Sequence, residues 1–272
     1  MRHRIRPALA TLAMSGAALV LVGAAGCAVE TDPSPSSPPT GVGVDYQLGG
    51  AYEPADGVGI VVRDRTASPD PTRYSICYVN AFQTQPGELA HWPDDLLLHA
   101  PSDGLVYDPD WPDEALLDTR RADGIAEIVI PWIRGCADDG YDAVEFDNLD
   151  SYTRSGDMLS LNDNLALARL LVDAAHRLGL AVGQKNAAED AAELRAQAGF
   201  DFAVTEECGA YDECSAYTAV YGDHVVAIEY TDALPQPFAD LCDHPDQPRT
   251  TVLRDRDLVT PEDDGYVFEL CE

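Results

Sequence analysis

YDAVEFDNLD, residues 141–150, decides how the fold is read. Ala143, Val144 and Phe146 form a short apolar run of the kind that makes a strand covered on both faces. Glu145, Asp147 and Asp150 interrupt it with three carboxyl groups. A buried strand that ends on Asp147 and Asn148 is expected to present chemistry at its carboxyl end, so the neighbouring strands decide what those groups meet.

Similar runs recur along the chain: VDYQL (44–48), GIVVRD (59–64), SICYVNAF (75–82), ALLDT (115–119), LAVGQK (180–185), DFAVTE (201–206), HVVAIEY (224–230) and TTVLRD (250–255). Helical patterns separate several of them. Over 162–178, Leu167, Leu170, Leu171, Ala174 and Leu178 recur at helical spacing before Gly179, and EDAAELRAQA (189–198) ends at Gly199. Repeated strand–helix–strand order predicts a parallel sheet in an α/β fold. Eight or nine such strands predict a (β/α)8 TIM barrel, with one candidate strand left outside. The alternative, a doubly wound open sheet, lacks a GxGxxG after its first strand. A barrel gathers chemistry at the carboxyl ends of its strands. Here those ends carry Asp147 and Asn148, Lys185 and Asn186, Glu206 and Glu207, then Glu229 and Tyr230.

The remainder of the chain bounds this reading. Its 272 residues, 46% hydrophobic and 24% charged, suit one domain, assigned to 43–272. MRHRIRPALATLAMSGAALVLVGAAGC opens with Arg2, Arg4 and Arg6 before an apolar stretch, which reads as an export signal over 1–26. Gly23 to Cys27 resemble a lipobox, so Cys27 is the expected lipidation site; plain cleavage near Ala28 is the alternative. ETDPSPSSPPTG (30–41) reads as the body of a tether over 27–42. The expected location is extracytoplasmic, lipid-anchored or secreted, with contact to a membrane only through that anchor. Six cysteines remain in the exported chain, and an even number predicts three disulfides. Six cysteines allow 15 pairings; Cys208 with Cys214 would close a small loop and is the first choice, while Cys77 with Cys136 and Cys242 with Cys271 are guesses from order along the chain. No CxxC or HExxH suggests zinc. Setting aside the three signal arginines leaves 48 acids against 14 bases, a net charge near −34, which argues against nucleic acid as a partner.

Asp147 and Glu206 sit on strands separated by one other, and a pair of carboxyl groups across a barrel mouth is what glycosidic hydrolysis requires. Lys185 is the only lysine, against 16 arginines. A compact ammonium at a strand end can hold a carboxylate ionised, although a plain salt bridge to Asp147 reads equally well. Tyr46, Tyr78 and Trp132 are candidate sugar-stacking rings at strand ends. Oxygen ligands on Asp147, Asp150 and Glu206 leave Ca²⁺ or Mg²⁺ as an alternative, while the expected chemistry needs no metal and no cofactor.

Together, DYQLGGAY (45–52), VEFDNLDSY (144–152), QKN (184–186), VTEEC (204–208) with Cys214, and IEY (228–230) resemble glycoside hydrolase family 114, the endo-α-1,4-polygalactosaminidases and their relatives. The resemblance implies a TIM-like barrel and hydrolysis of α-1,4-linked galactosamine polymers, with Asp147 and Glu206 as the catalytic pair. Asp45, Asn148, Asp150, Lys185 and Glu229 fall on motif positions that imply substrate binding or support, and Tyr46, Tyr78 and Asn186 join them as candidates. A partly deacetylated galactosaminan is cationic and would suit the acidic surface. YVNAFQTQP (78–86) departs from the family pattern, and 85–115 is expected to reshape the cleft. A glycan-binding lipoprotein without catalysis, or a hydrolase of another glycan, are the rival readings.

Overall fold

The computed structural model describes residues 35–101 and 104–271. Eight parallel strands lie side by side in chain order: β1 (Gly43–Gln47), β2 (Val58–Asp64), β3 (Tyr74–Asn80), β4 (Ala143–Asp147), β5 (Ala181–Lys185), β6 (Phe202–Glu206), β7 (Val225–Tyr230) and β8 (Thr250–Arg254). The sheet curls until β8 comes back alongside β1, a nearly closed barrel. The short β9 (Phe268–Leu270) adds antiparallel to β8 and is absent from the sequence expectations. Helices α1 (Ala122–Asp139), α2 (Leu161–Arg177), α3 (Ala191–Ala198), α4 (Cys214–Tyr221) and α5 (Phe238–Cys242) follow β3 to β7 in turn. Loops alone join β1 to β2 and β2 to β3, so five helices surround the barrel among the described residues.

Local sequence accounts for these elements. Helix α2 begins with a capping box, in which Ser160 Oγ accepts from Asp163 N–H and Asp163 Oδ2 from Ser160 N–H. Its buried stripe of Leu165, Ala168, Leu171, Val172 and Ala175 then faces the sheet layer. Helix α1 was not anticipated, because Pro131 stands inside it. The stripe Ile125, Val129, Ile133 and Cys136 nevertheless keeps helical spacing, and Pro131 lies on the exposed side. The run at 115–119 is the candidate left out of the barrel. Ala115, Leu116 and Leu117 make isolated antiparallel bridges to Tyr107, Gln83 and Leu97 within the long excursion between β3 and α1.

Strand alternation sends one residue in two to the interior. Val44, Tyr46, Ile76, Tyr78, Ala143, Ala181, Phe202, Val204, Val226, Ile228, Tyr230 and Val252 pack together there. Gly183 makes room for this core: a Cβ would sit 2.6 Å from the Phe202 ring. The same parity places Glu145, Asp147, Lys185 and Glu206 on the inner face.

Arg254 fills the seam between β8 and β1. Its buried guanidinium donates to the Tyr46 carbonyl and to the carbonyls of Val267 (2.9 Å) and Val259 (3.0 Å), and it pairs with Asp45 at 3.4 Å. Asp45 therefore does not line the cleft as expected. Alternation turns it behind β1, where it also accepts from Gln47 and from Tyr52 O–H.

The three expected disulfides are formed: Cys77–Cys136 ties β3 to α1, Cys208–Cys214 closes the loop after β6, and Cys242–Cys271 joins α5 to the chain end beside β9. Trp132 is not at a strand end. It lies in α1, edge-on to Trp92 and under the Arg65 guanidinium, and serves packing. The export signal and Cys27 lie outside the described residues. Of the expected tether, the last stretch lies against the barrel: Pro38 is buried and the Ser36 carbonyl accepts from Tyr74 O–H at 2.6 Å. No helix among the described residues is long and apolar enough to cross a membrane.

Replacing Arg254 with Leu is expected to cost about 3–5 kcal/mol, because it takes from buried Asp45 its ion-pair partner and from the Tyr46, Val259 and Val267 carbonyls their donor. Denaturant unfolding of R254L measures this, and adding Asp45→Asn should recover part of the loss.

Candidate active site

Strands β4, β5 and β6 end in Asp147, Lys185 and Glu206, and each is followed by a residue forced into the left-handed region: Asn148 (φ 63°), Asn186 (φ 47°) and Glu207 (φ 60°). Such backbone turns the chain sharply away and leaves the preceding side chain standing at the barrel mouth. Lys185, 2% exposed, lies between the two acids. Its Nζ donates to Tyr46 Oη at 3.0 Å and forms ion pairs with Glu206 Oε2 at 3.1 Å and Asp147 Oδ2 at 3.5 Å. Burial works against its charge, yet Asp147, Glu206 and Glu145 outweigh it and hold the ammonium pKa well above the usual value.

Each acid has further donors. Asp147 Oδ2 accepts from Tyr78 O–H at 2.6 Å and its Oδ1 from Asn148 N–H at 2.8 Å. Glu206 accepts from Tyr230 O–H and from Asn186 Nδ2 at 3.1 Å, while Asn186 Oδ1 receives the Glu206 N–H at 2.8 Å. Burial pushes the Glu206 carboxyl up, but Lys185, Tyr230 and Asn186 together bring it below its ordinary pKa. Burial and the neighbouring carboxylates keep the Tyr46, Tyr78 and Tyr230 phenols protonated as donors.

These groups form the floor of a cleft of about 830 Å³. Asn148 and Asp150 line it as expected, tied to Arg154: Nη2 donates to Asn148 Oδ1 at 3.1 Å, and Nη1 pairs with Asp150 at 3.0 Å. Tyr46 does not reach the cleft, since it lies fully buried beneath Lys185. Glu229 is also withdrawn. It faces the opposite side of β7 from Tyr230, where Oε1 accepts from Gly209 N–H at 2.8 Å and supports the disulfide-closed loop. Asp147, Asp150 and Glu206 do not converge as cation ligands, because Asp150 turns to Arg154 and the other two share Lys185. Cys208, Cys214 and Glu229 cluster closely, but both sulfurs are in a disulfide and offer no thiolate.

The sequence expectation that 85–115 reshapes the cleft names none of the residues that form one of its walls. The excursion between β3 and α1 supplies Asp108, Asp110, Trp111 and Glu114, and the loops after β6 and β8 supply Tyr211 and Arg256. The acid-rich stretch DPDWPDE (108–114) was the available signal. Glu114 Oε2 accepts from Asn80 and Gln83. Burial, with the charges of Asp147 and Asp108, pushes its pKa up to about 7.

The sequence profile of glycoside-hydrolase family GH114 matches residues 26–272. This chain belongs to that family. It is thus a glycoside hydrolase. Among solved structures, Ega3 of Aspergillus fumigatus in complex with galactosamine shares 22% identity at a TM-score of 0.72, with 88% of this chain and 99% of that chain covered. The glycoside hydrolase domain of PelA from Pseudomonas aeruginosa shares 14% at a TM-score of 0.60, covering 84% of this chain and 98% of its own. No curated protein compared matches by sequence. At these identities the two structures speak for the fold of this GH114 member.

A carboxyl whose folded pKa is raised to about 7 from 4.5 contributes stability that is complete below about 4.5 and lost as pH rises through 7. Thermal unfolding of wild type and Glu114→Gln from pH 4 to 8 should show the wild type losing on the order of 2–3 kcal/mol relative to the variant. A constant difference would remove this assignment.

Proposed function

We propose that this GH114 hydrolase cleaves an α-1,4-linked, galactosamine-containing polysaccharide within its chain, with Asp147 and Glu206 dividing the acid and nucleophile roles. The observation that carries the reading is the single ammonium shared by both acids. The Asp147 and Glu206 oxygens lie 3.5 and 3.1 Å from Lys185 Nζ, so they cannot be farther apart than those distances laid end to end. That favours the close spacing of about 5–5.5 Å used for retention over the wider spacing of about 6.5–9.5 Å that admits a water for inversion. One carboxyl donates its proton to the leaving glycosidic oxygen while the other bonds to the anomeric carbon. The first then takes a proton from water as that water displaces the enzyme carboxylate.

Charge supports a cationic polymer. Nine acids line the cleft (Asp64, Asp108, Asp110, Glu114, Asp147, Asp150, Glu206, Glu207 and Asp257) against Arg154, Lys185 and Arg256, each of which is already paired with carboxylates. Protonated amines on a partly deacetylated galactosaminan would meet this field, and a structural relative is seen with galactosamine. Trp111 and Tyr211, 57% and 66% exposed at the cleft, offer stacking faces for sugar rings. A second groove of about 430 Å³ shares Leu48, Gly49, Asp64, Gln85 and Pro86 with the cleft and extends it, which suits a chain held on both sides of the cut. Three disulfides fit an oxidising compartment. A lipid on Cys27, followed by the Pro/Ser-rich stretch, would hold the enzyme at the outer face of a membrane.

Incubation with deacetylated α-1,4-galactosaminan, read by mass spectrometry, should release short oligosaccharides. Asp147→Asn and Glu206→Gln should each reduce turnover by at least about 10²-fold without unfolding. Proton NMR should show the α-anomer forming first, and raising salt should raise KM. Wild-type turnover by either variant would end the pair assignment, and a β-anomer would end the retaining mechanism.

A further inference from the structure

Glu145 stands on the inner face of β4, two residues before Asp147, and is fully buried. Its Oε1 accepts from Tyr46 O–H at 2.7 Å, and its Oε2 has no hydrogen-bond partner. Tyr46 Oη in turn receives Lys185 N–H at 3.0 Å. A phenol has one proton, and an ammonium can only donate. With any Glu145 proton on the unpartnered Oε2, the chain runs from Lys185 to Tyr46 and from Tyr46 to Glu145 Oε1. Without an acceptor beneath it, Tyr46 would have no reason to turn its lone pair up to Lys185.

We propose that Glu145 is a positioning residue, which acts through Tyr46 to hold the Lys185 ammonium at Asp147 and Glu206. The proposal rests on those two being the reacting pair. A merely structural glutamate is a poor account of the same facts, because a carboxyl with an orphaned oxygen among apolar side chains is costly to keep.

The charge count assigns its state. Among the described residues of the barrel mouth, Lys185 is the one cation facing Asp147, Glu206 and Glu145 together, with the phenols of Tyr46, Tyr78 and Tyr230 around them. Three ionised carboxylates about one buried ammonium would leave an excess of two negative charges in a poorly solvated space. The deepest acid, with the fewest donors, is the one that keeps its proton. Burial, offset in part by Lys185 and Tyr46, accordingly brings Glu145 up to about 7. In its neutral form Glu145 still accepts from Tyr46 and leaves the full attraction of Lys185 to the pair above. Ionised at higher pH, it adds a negative charge below them and raises the pKa of the carboxyl that serves as the acid.

The test uses the exported domain and four variants: Glu145→Gln, Glu145→Leu, Tyr46→Phe and the Leu/Phe double variant, each checked by thermal unfolding. Gln keeps both the acceptor and neutrality, so kcat below pH 7 should stay within about threefold of wild type. Its alkaline limb should lie at lower pH, by about one unit, since the added charge can no longer form. Leu and Phe each break the chain. They should lower kcat by about tenfold or more with KM little changed, and the double variant should be no worse than the poorer single one. Multiplying losses in the double variant, or a Gln variant as impaired as Leu at every pH, would make Glu145 a packing residue and overturn the proposal. An unmoved or upward-moved alkaline limb would overturn its ionisation near pH 7, and an acidic limb that also moves down in the Gln variant would overturn its neutrality below that pH. Asp147→Asn and Glu206→Gln, run alongside, separate the two readings: activity there removes the reacting pair and leaves the hydrogen-bond chain in place.

Discussion

An ammonium buried to 2% exposure is the constraint around which the barrel mouth is organised. Removing such an ion from water costs several kcal/mol before any partner is counted. Lys185 recovers that only because β1, β4 and β6 bring it a phenol and two carboxylates at once. None of those strands is a hydrogen-bonded neighbour of another. The charge thus requires the closed geometry, and the closed geometry in turn brings the two acids together. The dependence also runs upward: without the ammonium, Asp147 and Glu206 would repel one another and one would take a proton irrespective of substrate.

A second buried cation plays a different part at the seam. Arg254 faces carbonyl oxygens from both sides of the gap between β8 and β1, and its planar fork reaches several at once. An ammonium could not span that set. Conversely, a guanidinium in place of Lys185 would be too wide to stand between the paired acids and still reach Tyr46. The two cations are not interchangeable, which explains why a chain so rich in arginine keeps its one lysine here.

The acids of YDAVEFDNLD take separate tasks through geometry alone. Glu145 and Asp147 share the inner face because strand parity is two, but they differ in depth. Asp147 reaches the cleft and three donors, while Glu145 lies beneath Lys185 with one. Asp150, beyond the left-handed turn at Asn148, moves out to Arg154. The excursion between β3 and α1 then adds the wall of Asp108, Trp111 and Glu114 and completes an acidic cleft.

The strand runs, the two terminal glycines of α2 and α3, and the strand-end polar residues are local properties, so the barrel, the short Cys208–Cys214 loop and the Asp147, Lys185 and Glu206 constellation were legible in the amino-acid order, whereas the two longer disulfides were not. Helix α1 was hidden by Pro131, whose cost disappears where it faces solvent on the outer side. Asp45, Tyr46 and Glu229 were assigned to substrate because motif membership does not report which way or how deep a side chain lies: parity carried Asp45 and Glu229 away from the cleft, and Tyr46 faces inward but lies too deep, beneath Lys185. The sequence by itself determined which residues end each strand, since alternation and turn chemistry act over a few neighbours. Only the tertiary structure decided which of those residues meet, because the contacts of Lys185, the depth of Glu145 and the seam at Arg254 depend on closure between strands far apart in the chain.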